Sequence, residues 1–261
     1  MPTAADTAQA LFEARATKTP IAALTDARPD MTVAEAYEIQ RELVGRITQS
    51  EGGDVVGYKL GLTSKPMQEM LGVHEPDYGP VLSSMVFDDG VTVDLDDYIQ
   101  PKVEAEILLV LSKPLRGPGV TTADVANAVA GAVAAIEMVD SRIADWKIKL
   151  TDTIADLASS AAAVKGSRLV PVDFDIKLTG MVITRNGETV ATGAGAAALG
   201  NPMFAVAWLA NALAEFGVTL EPGQIVMTGA LHAAFSVAPG DIVTAEFDRL
   251  GSVTMRFAGG S

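Results

Sequence analysis

The chain has 261 residues, 49% of them hydrophobic, which is enough for one large domain or for a small domain joined to a larger one. It contains no cysteine, which excludes disulfides, zinc–thiolate sites, iron–sulfur clusters and cysteine nucleophiles. It has only two histidines, His74 and His232, which excludes a histidine-rich metal site. Nineteen basic residues against 33 acidic ones leave a net charge of −14, which argues against nucleic acid as a partner because that binding needs a positive face. The opening "MPTAADTAQALFEAR" has neither the basic start nor the apolar segment of a signal peptide. Val125 to Ile136, read as the longest uncharged apolar-rich stretch, is far short of the roughly 20 residues that span a bilayer. A soluble cytoplasmic protein with no membrane partner is expected.

The first fifty residues read as helical. "TVAE" at Thr32 to Glu35 fits a capping box, and Tyr37, Ile39, Gln40, Leu43, Val44 and Ile47 give an apolar face. "VVGYKLGL" then reads as a strand, "SKPMQEML" as a short helix and "GVHEPDYGP" as a loop. From about residue 84 the pattern turns mostly β. "VEAEILLVL" is a strand, "TTADVANAVAG" a helix and "AAIEMVD" another strand. "IKLTGMVITRNGETVATGAG" reads as a hairpin turning at Asn186-Gly187. "NPMFAVAWLANALAEFG" is a helix with Asn201 as N-cap, Pro202 at N1 and Gly217 past its end. "QIVMTG", "DIVTAEF" and "SVTMRF" close the chain as strands. This order predicts an α+β protein: residues 1–80 a mainly helical N-terminal region, which also lends the strand around Lys59 to the site, and residues 81–261 a β-rich catalytic domain.

Three motif resemblances fail on context. "GAGAAALG" at 193 to 200 imitates a dinucleotide fingerprint, but its glycines do not open the helix, which starts at Asn201-Pro202. "GYKLGLTS" lacks the Gly-Lys-Ser/Thr ending of a phosphate loop, and "HEPDY" lacks the second histidine of a zinc-protease motif.

The anomaly lies in "PKVEAEILLVL". Residues two apart on a strand share a face, so Glu104 and Glu106 project side by side from an otherwise apolar run. Like charges at that spacing repel, more so when desolvated, so either water screens them or a cation sits between them. Glu137 in "AAIEMVD" is again a lone charge in an apolar strand. Three carboxylates without histidine or cysteine favour magnesium, manganese or calcium, although an E-x-E pattern alone also describes a solvated strand face. Lys59 in "VGYKLGL" shares a face with Gly57 and Gly61, which would leave room for a ligand to approach the ammonium. Near a metal and away from water its pKa would be lowered, suiting it to acid–base work; the other reading is an edge-strand lysine.

Together "GYKLGLTSK", "EPDYG", "PKVEAEILLVL", "AIEMVDSRIADWKIKLTDTIAD", "ASS", "TRNGETVATGAGAAALGNP", "AVAWLAN" and "RLGSVTMRF" resemble the hydratase/decarboxylase branch of the fumarylacetoacetate hydrolase superfamily, whose members act on 2-hydroxypenta-2,4-dienoate or 4-oxalocrotonate in aromatic meta-cleavage catabolism. The resemblance runs in order from about residue 20 to 257. It implies a helical N-terminal cap on a mixed β-roll, homo-oligomeric assembly and a magnesium or manganese site formed by Glu104, Glu106 and Glu137. It implies Lys59 and Asp77 as catalytic residues, and Leu62, Asp156, Leu157, Ser159, Ser160 and Thr228 as substrate contacts. The family pattern has an amide where this chain has Leu157, and smaller or hydroxyl residues around His232. His232 is therefore either a substrate contact or a partly buried structural residue.

The activity implied is metal-dependent addition of water to a 2-hydroxy-2,4-dienoate, giving a 4-hydroxy-2-oxo acid. The alternatives are decarboxylation of a 2-oxo-3-enedioate and a non-catalytic partner subunit associating with a related hydratase or decarboxylase. Hydrolysis of a carbon–carbon bond is a further option, with His74 as its only candidate for water activation.

Overall fold

The computed structural model describes residues 2–65, 68–69 and 72–259. The N-terminal part is helical: α1 (Ala4–Thr17), a single turn α2 (Leu24–Ala27) and α3 (Val33–Glu51). The Thr32 capping box forms as the sequence predicts, with the Glu35 amide donating to Thr32 Oγ1 at 3.3 Å and the Thr32 amide donating to Glu35 Oε2 at 2.8 Å. Ala36, Tyr37, Ile39, Gln40, Leu43 and Ile47 form the buried stripe of α3. Strand β1 (Val55–Gly61) follows, and the helix expected at 64–71 lies partly outside the described residues.

The expected loop at 72–80 ends early, because Asp77–Leu82 is a fully buried strand, β2. Gly79 and Pro80 disguise it. Proline is tolerated there because β2 is the outermost strand of its sheet, where no neighbour needs the missing N–H. After β3 (Val86–Asp88) and β4 (Thr92–Asp94) come the two long central strands, β5 (Lys102–Leu111) and β6 (Val129–Val139), joined through helix α4 (Thr122–Ala128). A short helix α5 (Leu150–Ala155) leads into β7 (Ser160–Lys165), a strand hidden from sequence reading by its alanines.

The hairpin β8 (Gly180–Arg185) and β9 (Glu188–Ala194) turns at Asn186-Gly187, both at positive φ. Helix α6 (Pro202–Leu213) starts at the Asn201 cap, and β10 (Ile225–Ala230), β11 (Phe235–Ser236), β12 (Ile242–Phe247) and β13 (Gly251–Ala258) complete the chain. Around α6, the segment Gly195–Phe216 is longer than Val125–Ile136 and long and apolar enough to cross a membrane by length and composition; about half of it is buried within the protein, as befits a core helix.

Among the described residues there are two mixed sheets. The larger runs β2-β1-β10-β5-β6-β7-β3, with β11 added to the end of β5; the smaller runs β4-β13-β12-β8-β9. β1 and β10 pair in parallel, whereas β5 pairs antiparallel with both β10 and β6. The segment around Lys59 thus lies two strands from β5, and one apolar core joins the N-terminal helices to the sheets. Gln40 of α3 fastens the layers, its side-chain amide donating to Tyr78 O at 3.0 Å and to Ile154 O at 2.7 Å.

Candidate active site

The β5–β6 register sets Glu104 directly opposite Glu137, and strand alternation adds Glu106 to the same face. One carboxylate oxygen from each of the three lies within 4.8 Å of the others. Glu106 and Glu137 are almost wholly buried, at 0% and 1% exposure, whereas Glu104 opens to a cavity. One Glu106 oxygen accepts from the Gly229 amide at 2.9 Å; Glu106 Oε1 and both Glu137 oxygens have no hydrogen-bond partner in the protein. Buried carboxylate oxygens left without donors cost several kcal/mol each. Such a cost in an otherwise well-packed core, with oxygen donors only, fits a hard divalent cation of the magnesium or calcium type.

Gly229 makes the arrangement possible. It sits where the β10–β5 register slips between Met227 and Ala230, at φ +113, a conformation open to glycine and strained for other residues. A Cβ there would also collide with the Thr63 side chain.

Lys59 is buried at 3% exposure. Its ammonium donates to Ala158 O at 2.8 Å and stands 3.5 Å from Glu137 Oε1, an ion-pair distance too long for a good hydrogen bond. Burial alone would push this ammonium down, but Glu137, Asp77, Glu104 and Glu106 outweigh it and hold the pKa above the usual lysine value. With these carboxylates ionised, Lys59 is held as an ammonium. The spaces beside its flanking glycines are also taken, not left open for a ligand. A Cβ on Gly61 would overlap the Asp77 carboxylate, and one on Gly57 the Ile225 carbonyl.

Asp77, at the start of β2 and paired with Gly61, is buried and faces the same cavity as Lys59; burial raises its pKa above the ordinary carboxylate value. Burial and the neighbouring Glu137 push Glu104 up to about 7, and burial raises Glu106 and Glu137 as well.

The family model "Fumarylacetoacetate (FAA) hydrolase C-terminal" matches residues 66–258. The chain belongs to the fumarylacetoacetate hydrolase family. It is 46% identical over 253 residues to a 2-keto-4-pentenoate hydratase of Paraburkholderia xenovorans, covering 97% of this chain and 94% of the relative. It is 43% identical over 235 residues to a 4-oxalocrotonate decarboxylase of Pseudomonas putida, covering 90% and 89%. The structure of 4-oxalocrotonate decarboxylase from Pseudomonas putida G7, complexed with magnesium and adipate, superposes with a TM-score of 0.93 at 39% identity, covering 97% of each chain. The mixed β-roll with helices that the family resemblance implied is the fold this protein adopts.

A cavity of about 620 Å³ gathers Lys59, Leu62, Asp77, Glu104 and Ser159 from the residues singled out in the sequence. The others lie behind its wall. Asp156 is engaged by Arg142, whose Nε donates to Asp156 Oδ1 and whose amide donates to Oδ2 at 2.9 Å; even so, burial pushes Asp156 up to about 6. Ser160 opens β7, and the Thr228 hydroxyl donates to Ile107 O at 2.8 Å, so both are absorbed into the sheet. Leu157 is buried and does not line the cavity. With Ala158 and Ser159 it forms a turn of three successive residues at positive φ (59°, 50° and 58°) that presents the Ala158 carbonyl to Lys59.

His232 lines the cavity, yet both ring nitrogens are engaged. Nε2 accepts from the Ala105 amide at 2.9 Å, which assigns the proton to Nδ1, 2.8 Å from Ala233 O. Burial lowers its pKa, keeping it neutral and structural while its ring faces the ligand space. His74 is exposed and outside the cavity lining, so it is not placed to activate water there. Sequence reading missed Lys102, Trp146 and Ile148 on the cavity wall. Lys102 was visible as the next charge on the Glu104 face of the same strand, whereas Trp146 and Ile148 arrive through an irregular loop with no periodic signal.

Proposed function

We propose that this protein is a lyase that hydrates a 2-hydroxy-2,4-dienoate of the 2-hydroxypenta-2,4-dienoate type to a 4-hydroxy-2-oxo acid. The observation carrying this reading is the triad Glu104, Glu106 and Glu137, whose Glu137 stands 3.5 Å from the buried Lys59 ammonium, beside a cavity that Lys59 and Glu104 line. The names of the hydratase relatives point the same way. Glu104, Glu106 and Glu137 would hold magnesium or manganese, which supplies Lewis-acid polarisation of a chelated 2-oxygenated carboxylate.

The chain's own groups do the rest. Lys59, kept as an ammonium by the carboxylates around it, delivers a proton to C5 of the dienol. The hydroxyl proton leaves O2 for the amine that Lys59 has become as the C2 carbonyl forms, giving a 2-oxo-3-enoate. Asp77, facing the same space, takes a proton from the water that adds at C4 and gives it to C3, so that water is added across the C3–C4 bond. Ser159 and Leu62 shape the substrate's surroundings. The reading places the enzyme in the cytoplasm as a homo-oligomer.

Decarboxylation is the second reading, supported by the 0.93 TM-score to a decarboxylase whose structure holds magnesium and a dicarboxylate. One experiment separates the two. Purified protein with magnesium is given 2-hydroxypenta-2,4-dienoate or 2-oxo-3-hexenedioate, and dienol absorbance and carbon dioxide are followed with Glu106→Gln as control. Metal-dependent dienol loss without carbon dioxide is expected; carbon dioxide from the diacid would replace the hydratase with the decarboxylase.

A further inference from the structure

Of the two lysines on the cavity wall, Lys102 makes no close ion pair among the described residues, although its charge acts on Glu104 along the same strand. Lys102 opens β5 and shares a face with Glu104, about 7 Å further along the strand towards its start. Its backbone is fixed on both sides, opposite Val139 of β6 and Ser236 of β11. Its ammonium lies 4.5 Å from the centre of the Trp146 ring. Trp146 is itself locked, its Nε1 donating to Gln100 O at 3.1 Å. It sits with Asp145 in the left-handed region, at φ 55° and 59°, a strained conformation for residues other than glycine. A strained, hydrogen-bonded platform thus holds a lysine at the edge of the ligand space.

The cavity's two lysines are treated differently. Lys59 is paired with Glu137, whereas Lys102 makes no ion pair among the described residues. An aromatic face steadies an ammonium without neutralising it, so Lys102 remains available to an anion. Val139 and Ile148, both on the same cavity wall, lower the competition from water.

We propose that Lys102, held by Trp146, is a specificity-determining residue that recognises a second carboxylate at the tail of the substrate. The inference rests on the hydratase reading above and extends its substrate from the tailless pentadienoate to longer dienoates with an anionic tail. With the 2-oxygenated head among the three glutamates, the tail extends along β5 towards Lys102. An ammonium that grips this carboxylate stabilises it most while it is intact. A carboxylate leaving as carbon dioxide gives up its charge on the way to the transition state, so the same contact would slow its loss. Lys102 therefore fits a tail carboxylate that is retained through hydration: water adds across the chain, and no bond to the tail breaks.

The test uses the full chain with magnesium and two 2-hydroxy-2,4-dienoates of equal length, one ending in a methyl group and one in a carboxylate. Wild type is expected to favour the carboxylate-ended substrate. Lys102→Met should cut kcat/KM for it by roughly 10- to 100-fold, the worth of a charged hydrogen bond, and leave the methyl-ended substrate nearly unchanged. Lys102→Arg should keep the preference, and Trp146→Leu should weaken it in part. Equal kcat/KM for the two substrates in wild type overturns the inference and leaves the hydratase reading standing. So does an equal loss on both in Lys102→Met, which would assign Lys102 to the head group or to the fold. Carbon dioxide from the carboxylate-ended substrate overturns the retained tail. Turnover of neither by wild type overturns the hydratase reading, and the inference with it.

Discussion

Lys59 owes its chemistry to its neighbours. Buried in an apolar sheet without partners, a lysine would lose its proton; among Glu137, Asp77, Glu104 and Glu106 it keeps it. Two consequences separate its catalytic role from its structural one. Replacing it with methionine removes the proton donor and should lower kcat by about 10²- to 10⁴-fold. It also removes a positive charge 3.5 Å from Glu137, so magnesium should bind no more weakly than in wild type, and more tightly if the carboxylates keep their places. Activity assays paired with calorimetric magnesium titration of Lys59→Met check both. A variant that loses metal along with activity would show Lys59 to be a scaffold for the glutamates. These residues were legible in the sequence because charges inside apolar strands are conspicuous. How many carboxylates the fold brings to one ammonium was not, and Asp77 reaches Lys59 only through the pairing of β2 with β1.

Elements that announce themselves by periodicity or capping were equally readable: α3 with its Thr32 box, α6 with Asn201-Pro202, and the Asn186-Gly187 hairpin. What escaped were elements whose composition serves a neighbour. β2 carries Gly79 because the turn at Leu157 presses against it, and a Cβ at Gly79 would overlap the Leu157 carbonyl. β7 is alanine-rich, a composition with no β preference, yet it is buried between β6 and β3. The turn of three residues at positive φ carries no glycine signal at all. Gly79 pairs with Lys59 across the β1–β2 ladder, so strand and turn together aim the Ala158 carbonyl at the ammonium. Gly79→Ala should push the turn away from β2 and lower kcat by about 10²-fold, the scale of an ångström-sized misplacement, while circular dichroism stays native. Unchanged kcat in a folded Gly79→Ala protein would mean that Lys59 needs no help from Ala158. The Asp156–Arg142 pair behind the turn was likewise unreadable, because nothing in the spacing of the two residues says that each is the other's partner.

At the scale of the whole molecule, the carboxylate cluster opposes the fold that contains it, and that opposition can be measured as a pH effect. Glu104 is pushed from 4.5 up to about 7, and Glu106 and Glu137 are raised in the same direction, all chiefly by burial. Between the unfolded value near 4.5 and the folded value near 7 the native state holds more protons than the unfolded chain. By linkage, stability then falls as pH rises through that window, the reverse of the usual carboxylate behaviour. Asp77 and Asp156, also raised by burial, add to the fall. His232 works against it: its folded pKa is lowered, so stability from this one group rises as pH rises through 6.5. Lys59, raised above 10.5, contributes stability that is present throughout and is lost only at alkaline pH. The capping carboxylates Asp6, Glu35 and Asp124, lowered by their threonine partners, lose their contribution only below the window. Protein treated with chelator should therefore melt at a higher temperature at pH 5.5 than at pH 8. Magnesium competes with protons for the same oxygens, so its affinity should climb with pH through about 7, and saturating magnesium should close or invert the gap between the two melting points. Thermal unfolding at the two pH values, with chelator and with magnesium, supplies all four numbers. A chelated protein that grows more stable from pH 5.5 to 8 would mean that the glutamates have found other partners, and that the cluster between β5 and β6 is not waiting for a cation.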